Sequence, residues 1–277
     1  MTRPQIETIR PHIRRYGDLT SLEIERAKQE NTLLILPVGA TEQHGDGLPL
    51  STDNIRAEHV AMRLAEDLAA DADSSDSDSA EGSGRAFVLP TIGYGISPHH
   101  TELPGTISLD PRLFVDIVTS VAGQLADAGF RRILVITGHG GNIAGLGVAA
   151  QVLLASHPDL VFAHSPVSAL ATEASAALPR TEVSGHCGES ETSQVLAIDP
   201  ALVDSPHLSP GATSLGELSP RARLSRTKTP ASAVTFDRYA ENGVLGDPRT
   251  ATAEDGQRIL DEIHTKLLDY SRRLLEL

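Results

Sequence analysis

Short apolar runs along this chain alternate with longer stretches in which apolar residues return every three or four positions. Residues 33–38 (Leu-Leu-Ile-Leu-Pro-Val) are apolar throughout and predict a buried strand. After a polar, glycine-rich loop, a helix is expected from Asp53 or Asn54 to about Leu68, with Val60, Ala61, Leu64 and Leu68 on one face. Further strands are predicted over 87–92, 131–137 and 160–164. Between them, Asp110-Pro111 opens a helix carrying Phe114, Ile117, Val118, Val121 and Leu125, which Gly129 ends, and a second helix covers 143–156. This strand–loop–helix alternation predicts an α/β fold with a mainly parallel sheet.

The pattern weakens over 166–185, returns as a helix over 189–198, and gives way to Pro-, Ser- and Thr-rich loops over 205–236. A last helix is expected over 252–275, with a capping box between Thr252 and Asp255. Residues 71–84 are almost all Asp, Ser, Gly, Ala and Glu, too polar to bury a core, and read as a mobile acidic insertion. No repeat or other composition break divides the 277 residues, so a single domain is expected.

Composition narrows the functional classes. A formal charge of −14 repels a phosphate backbone, so neither nucleic acid nor an anionic membrane is expected as a partner. No apolar run approaches the roughly 20 residues of a membrane span, and the first residues lack the apolar stretch of a signal peptide; a cytoplasmic protein is the default expectation. Cys187 is the only cysteine, which excludes a disulfide within the chain and a thiolate-rich metal site.

Three clusters can carry chemistry. Glu42 and His44 alternate in the loop just past the first strand, and Asp53 opens the next helix; carboxylates with one imidazole suit Zn²⁺, Mn²⁺ or Fe²⁺. Alone, a Glu-x-His on a polar loop is more often structural or solvated. Gly138-His139-Gly-Gly-Asn142 follows another buried strand, and its glycines let backbone come close to a ligand. It has no Gly-Lys-Ser/Thr ending and is not a phosphate loop. In the third cluster, 185–193, His186 precedes Glu189 and Glu191 at a helix start. The two glutamates, two positions apart, diverge on a helix, so one should coordinate while the other orients a partner. Acidic residues in a first helical turn have an ordinary structural reading too. Each cluster ends a strand or opens a helix in an α/β alternation, so together they can converge on a two-metal hydrolytic centre.

The pieces Gly39-x-x-Glu-Gln-His-Gly45, Leu48-Pro-Leu-x-x-Asp53, Pro104-Gly-Thr-Ile-Ser108, Gly138-His-Gly-Gly-Asn142, His186-x-Gly-Glu-x-Glu-Thr-Ser193 and Gly243-Val-Leu-Gly-Asp-Pro248 resemble, in that order, the creatininase (creatinine amidohydrolase) family. The resemblance implies a three-layer α/β sandwich, commonly hexameric, with a binuclear centre of Zn and/or Mn (or Fe). Glu42, Asp53 and His139 would hold one ion and His44 and Asp53 the other. Creatininase proper has a further glutamate ligand where this chain has Gly141; Glu189 is expected to fill that place, giving the metal set Glu42, His44, Asp53, His139 and Glu189. His186 matches the family's catalytic histidine and is expected to protonate the leaving nitrogen, and Glu191 matches its retained glutamate, expected to support catalysis from behind the ligands. Creatininase proper encloses its substrate with tryptophans, and this chain has none; Tyr94, His99 and His100 are the expected pocket residues. The activity implied is hydrolysis of a C–N bond in a small, non-peptide amide, cyclic amides included. The alternatives are a deformylase or peptide-trimming hydrolase of a cofactor pathway, and a metal-stabilised binding protein without activity.

Overall fold

The structure is a computed structural model that describes residues 8–74, 85–227 and 230–277. Four parallel strands form its sheet: β1 (Thr32–Val38), β2 (Arg85–Val88), β3 (Arg132–Thr137) and β4 (Val161–Pro166), in the order β2-β1-β3-β4. All seven residues of β1 are buried, as they must be in a strand covered on both faces. Alternate side chains divide between two cores. Leu34, Leu36, Ile133 and Val135 pack with Phe114, Val118, Leu146 and Leu153 of α3 (Pro111–Asp127) and α4 (Asn142–Ser156). Leu33, Ile35, Leu134 and Ile136 pack with Val60, Leu64, Ile259 and Ile263 of α2 (Thr52–Ser74) and α9 (Ala253–Leu275). Helices therefore cover both faces of the sheet.

The helix ends follow their capping residues. The Asp110 carboxylate accepts from the Arg112 and Leu113 amides at the start of α3, with Pro111 in the first turn. The Thr252 hydroxyl accepts from the Asp255 amide at the start of α9. The expected reciprocal half of that box is absent, because the Thr252 amide donates to Ser193 Oγ instead. Two boundaries differ from expectation. The second strand stops at Val88, since Pro90 has no amide to continue the ladder; Ile92 makes only an isolated bridge to Val38. Helix α2 carries Asp71–Ser74, the first part of the expected acidic insertion, and 75–84 lie outside the described residues.

Sequence reasoning passed over α1 (Ser21–Ala27), although Thr20 and Glu23 form a complete capping box there. Short helices α5 (Val167–Leu170) and α6 (Thr172–Ala176) lie in the weakly patterned stretch. After α7 (Glu189–Ile198), the expected long loops hold, among the described residues, one short α-helix, α8 (Pro220–Ser225). No helix among the described residues is long and apolar enough to cross a membrane.

Strand order fixes where a site can form. The chain moves from β1 to one side for β2 and to the other for β3, so a crevice opens at the carboxyl ends of β1 and β3. Val38 pairs with Thr137 in register, which sets the loops beginning at Gly39 and Gly138 side by side.

Candidate metal centre

The loop after β1 places Glu42 and His44, and the first turn of α2 places Asp53; Glu42 and Asp53 are each 1% exposed and His44 is fully buried. The loop after β3 brings in His139, whose Nδ1 lies 3.2 Å from Glu42 Oε1 and 3.1 Å from Asp53 Oδ2. Such an approach requires a glycine at 138, where a Cβ would sit 2.1 Å from the Asp53 carbonyl oxygen. Asn142 holds three loops together. Its amide donates to the Gly39 carbonyl at 2.9 Å, and its side-chain oxygen accepts from the Ile96 amide at 2.9 Å.

Ring orientation is set by backbone acceptors. His139 Nε2 lies 3.0 Å from the Ile96 carbonyl, which leaves Nδ1 to face the carboxylates. His44 Nδ1 lies 3.1 Å from the Glu42 carbonyl, leaving Nε2 toward Asp53 Oδ1 (3.6 Å) and Glu191 Oε2 (3.7 Å). His186 Nε2 lies 2.8 Å from the Gln43 carbonyl, leaving Nδ1 toward Glu42 Oε1 at 3.6 Å. In all three, a carbonyl that can only accept fixes an N–H on one nitrogen and turns the other toward the carboxylates.

Electrostatics point the same way. Burial opposes charge on His44, yet Asp53, Glu191 and Glu42 together raise its pKa to about 9. The same balance, burial outweighed by Glu42 and Asp53, holds His139 well above the ordinary imidazole range. His186 goes the other way: burial, and then His44, lower it to about 3. Three buried or part-buried carboxylates thus surround the imidazole nitrogens and favour positive charge among them.

Glu42 Oε2, His44 Nε2 and Asp53 Oδ2 are buried without a hydrogen-bond partner. Orphaned donors and acceptors of this kind cost stability unless something occupies the space between them. The sets Glu42–His44–Asp53 and His44–His186–Glu191 each converge within 4.8 Å, as a cation requires. With two carboxylates and imidazoles and no thiolate, the donors fit a divalent ion of the Zn²⁺ or Mn²⁺ kind.

Glu189 is a correction. Its carboxylate is 2% exposed and turned away from the cluster, with Oε1 accepting from the Asp247 amide (3.0 Å) and from the Thr181 amide and hydroxyl (3.3 and 3.1 Å). Two positions along a helix is roughly 200° of rotation. Once α7 turns Glu191 to the centre, Glu189 has to point at the loop holding Asp247. Gly141 offers no room for a side chain either: a Cβ there would lie 2.2 Å from the Ile96 carbonyl oxygen and 2.3 Å from His139 Nε2.

A cavity of about 330 Å³ opens onto the cluster, lined by Glu42, Asp53, His139, His186 and Glu191, and by His99, His100 and Phe236 on another part of its wall. His100 packs against both His186 and Phe236, with ring centroids 4.2 and 4.1 Å away. Of the three expected pocket residues, His99 and His100 line this cavity. Tyr94 does not; it is 49% exposed and lines none of the cavities described here.

The sequence profile of the creatininase family, creatinine amidohydrolase, matches residues 17–270. This chain belongs to the creatininase family. It is 34% identical to the mycofactocin precursor peptide peptidase of Mycolicibacterium smegmatis, across 87% of this chain and 85% of that one. It is 27% identical to the creatinine amidohydrolase of Pseudomonas putida, across 88% and 91%. A crystal structure of creatinine amidohydrolase (creatininase) superposes with a TM-score of 0.76 at 25% identity, covering 96% of this chain and 99% of the other. Solved creatininases carry Mn or Zn. The fold and family expected from the motifs are therefore those observed, and the protein is a member of a hydrolase family with a cluster of donors suited to metal.

Arg56, Gln43 and Phe236 were missed as site residues. Arg56 had a signal: at Asp53 + 3 it shares the helix face of Val60 and Leu64, and an arginine on a buried face needs a charged partner. Phe236 sits in a loop-rich stretch whose periodicity gives none.

Proposed function

We propose that this protein is a metal-dependent amidohydrolase that cleaves a C–N bond in a peptide or peptide-like substrate, using two divalent ions. The observation that carries this reading is that Asp53 faces an imidazole on each side, with Oδ2 toward His139 Nδ1 and Oδ1 toward His44 Nε2. Glu42, Asp53 Oδ2 and His139 Nδ1 would hold one ion; His44 Nε2, Asp53 Oδ1 and Glu191 would hold the other. Glu191 thereby takes the role expected of Glu189. Ions bound there would supply an activated water and polarise the amide carbonyl.

The chain's own residues account for proton movement. His186 donates its Nε2 proton to the Gln43 carbonyl, so Nδ1, facing Glu42, is the nitrogen free to exchange protons with the reacting groups. Its lowered pKa keeps it neutral at physiological pH. A proton that reaches its Nδ1 is readily passed on to the leaving nitrogen, which departs poorly without one. Arg56 holds Glu191 from behind, with Nη1 2.7 Å from Oε1. His100 and Phe236 flank the His186 ring and exclude water from that side.

A peptide-like substrate is favoured over a small cyclic amide by two observations. The relatives at 31–34% identity across most of this chain are mycofactocin precursor peptide peptidases. No tryptophan is present to enclose a flat ring. Metal analysis of the purified protein, followed by hydrolysis assays on short peptides, formamides and creatinine with Zn²⁺ or Mn²⁺ supplied, tests the reading. Release of amine from a peptide with about two ions per chain is expected. Absence of bound metal, or turnover of creatinine alone, would overturn it.

A further inference from the structure

The cavity that exposes the donor cluster has a second chemistry on its wall. Arg180 lines it, and the guanidinium has no hydrogen bond or ion pair among the described residues. Ser168 and Ser175 line it as well, and neither hydroxyl has a hydrogen-bond partner there. Ser175 is 7% exposed and opens onto the cavity, whereas Ser168 and Arg180 are exposed. Uncommitted polar groups on the wall of one cavity are available to pair with the polar groups of a ligand that enters it.

Charge on the rest of the wall is already compensated. Arg56 is paired with Glu191 and lies 3.5 Å from Asp53, and Glu42, Asp53 and Glu191 belong to the centre that takes the cations. Arg180 is the one arginine on this wall without an acid. In a chain of net charge −14, a free guanidinium on the wall of the same cavity is an attractor for a negative group on the substrate. Arginine also matches a carboxylate with two parallel donors, and the serine hydroxyls can donate to its remaining lone pairs. One positive charge with two neutral donors suits a monoanion. A phosphate dianion would call for a second uncompensated cation, and this wall has none.

We propose that Arg180, with Ser168 and Ser175, forms a subsite for a carboxylate that the substrate carries close to its scissile amide. This deepens the amidohydrolase reading: it makes the preferred substrate an acidic amide and sets which end of it enters first. It also gives Arg180 a specificity role outside the proton-transfer machinery.

Binding can be measured without turnover, which separates this proposal from the amidohydrolase reading. Calorimetry on the metal-loaded protein would compare N-acetylglycine with N-acetylglycinamide, which differ only in the carboxylate. The acid is expected to bind about 10- to 100-fold more tightly, the range of a charge-assisted hydrogen-bonded pair. Arg180→Gln should remove that preference at unchanged metal content, and Arg180→Lys should keep part of it. A carboxylate held by the metals instead would leave the preference intact in Arg180→Gln, and that result overturns the subsite. So would equal affinity for acid and amide, or tighter binding of the matching phosphonate, N-acetylaminomethylphosphonate. If the preference is found and lost as expected while no amide is hydrolysed, the subsite stands and the amidohydrolase reading fails.

Discussion

Arg56 Nη1 donates to Glu191 Oε1 at 2.7 Å, with the guanidinium wholly removed from solvent. The same guanidinium reaches Gln194 Oε1 through Nε at 3.1 Å, so Arg56 ties the first turn of α2 to α7 and fixes Glu191 opposite His44. Removing it leaves the part-buried Glu191 carboxylate, and Asp53 near it, without their guanidinium partner. Arg56→Met should therefore destabilise the metal-free protein by about 3–5 kcal/mol, the cost of breaking one partner of a buried pair. Added Zn²⁺ or Mn²⁺ should recover part of that loss by binding to the folded state. Urea unfolding with and without metal checks both; a loss below 1 kcal/mol, or no recovery, would count against the pairing.

Metal stoichiometry separates the acidic side chains. Asp53 has an oxygen toward each donor set, so Asp53→Ala should reduce both ions, whereas Glu191→Ala should leave about one per chain. Glu189→Ala should keep the full complement. Its cost is to stability, about 1–3 kcal/mol, because the Thr181 and Asp247 amides lose their acceptor. Elemental analysis of the three variants against the parent decides; loss of metal in Glu189→Ala would restore Glu189 to the ligand set.

His186→Ala should retain its metal, since Nε2 is spent on the Gln43 carbonyl and Nδ1 serves proton exchange. Turnover is expected to fall by about 10²- to 10⁴-fold. Steady-state kinetics on whichever substrate the parent hydrolyses, with metal content measured in parallel, provides the check. Unchanged turnover would remove His186 from proton transfer.

How far the sequence carried the reading varied with the kind of feature. The strands and the helices of 15 residues or more were legible because both faces of β1 and one face each of α2, α3 and α9 are apolar at the right period. Glu42, His44, Asp53 and His139 were legible because they lie in loops at strand ends, where register alone brings them together. The choice between Glu189 and Glu191 was not legible: it depends on the rotation of α7 about its axis, which is set by Val195 and Ser193 packing behind it and by Arg56 in front. Neither were the orienting carbonyls of Gln43, Glu42 and Ile96, since backbone acceptors have no sequence signature.

Acid stability should contain a measurable share from Glu262, far from the centre. Burial would raise its pKa, but Lys266 and the Ala174 and Glu173 amides outweigh this and bring it down to about 2. A lowered carboxylate pKa stabilises the fold above the unfolded value of 4.5, and the contribution is lost as pH falls toward 2. Glu262→Gln should remove up to roughly 3 kcal/mol at pH 7 and progressively less below pH 4. Urea midpoints of both proteins should therefore converge as pH drops from 5 to 3; a constant gap across that range would mean the side chain acts by packing alone.

Gly141 yields the sharpest steric prediction, because the family resemblance makes a glutamate there look like a natural repair. The position has an ordinary helical φ of −62°, so backbone strain is no obstacle to a side chain. Space is the obstacle, since any Cβ collides with the Ile96 carbonyl oxygen and with His139 Nε2. Those two atoms are hydrogen-bonded to each other at 3.0 Å, and that bond keeps His139 Nδ1 aimed at Glu42 and Asp53. Gly141→Ala should push the ring off its acceptor and weaken metal binding by about 10- to 100-fold, the usual effect of losing an orienting partner. Gly141→Glu should do at least as much damage and add no ion, even though it introduces a carboxylate beside the centre. Competition titration with a chelator of known affinity measures both, and tighter binding in Gly141→Glu than in the parent would show that the loop can open to accept the side chain.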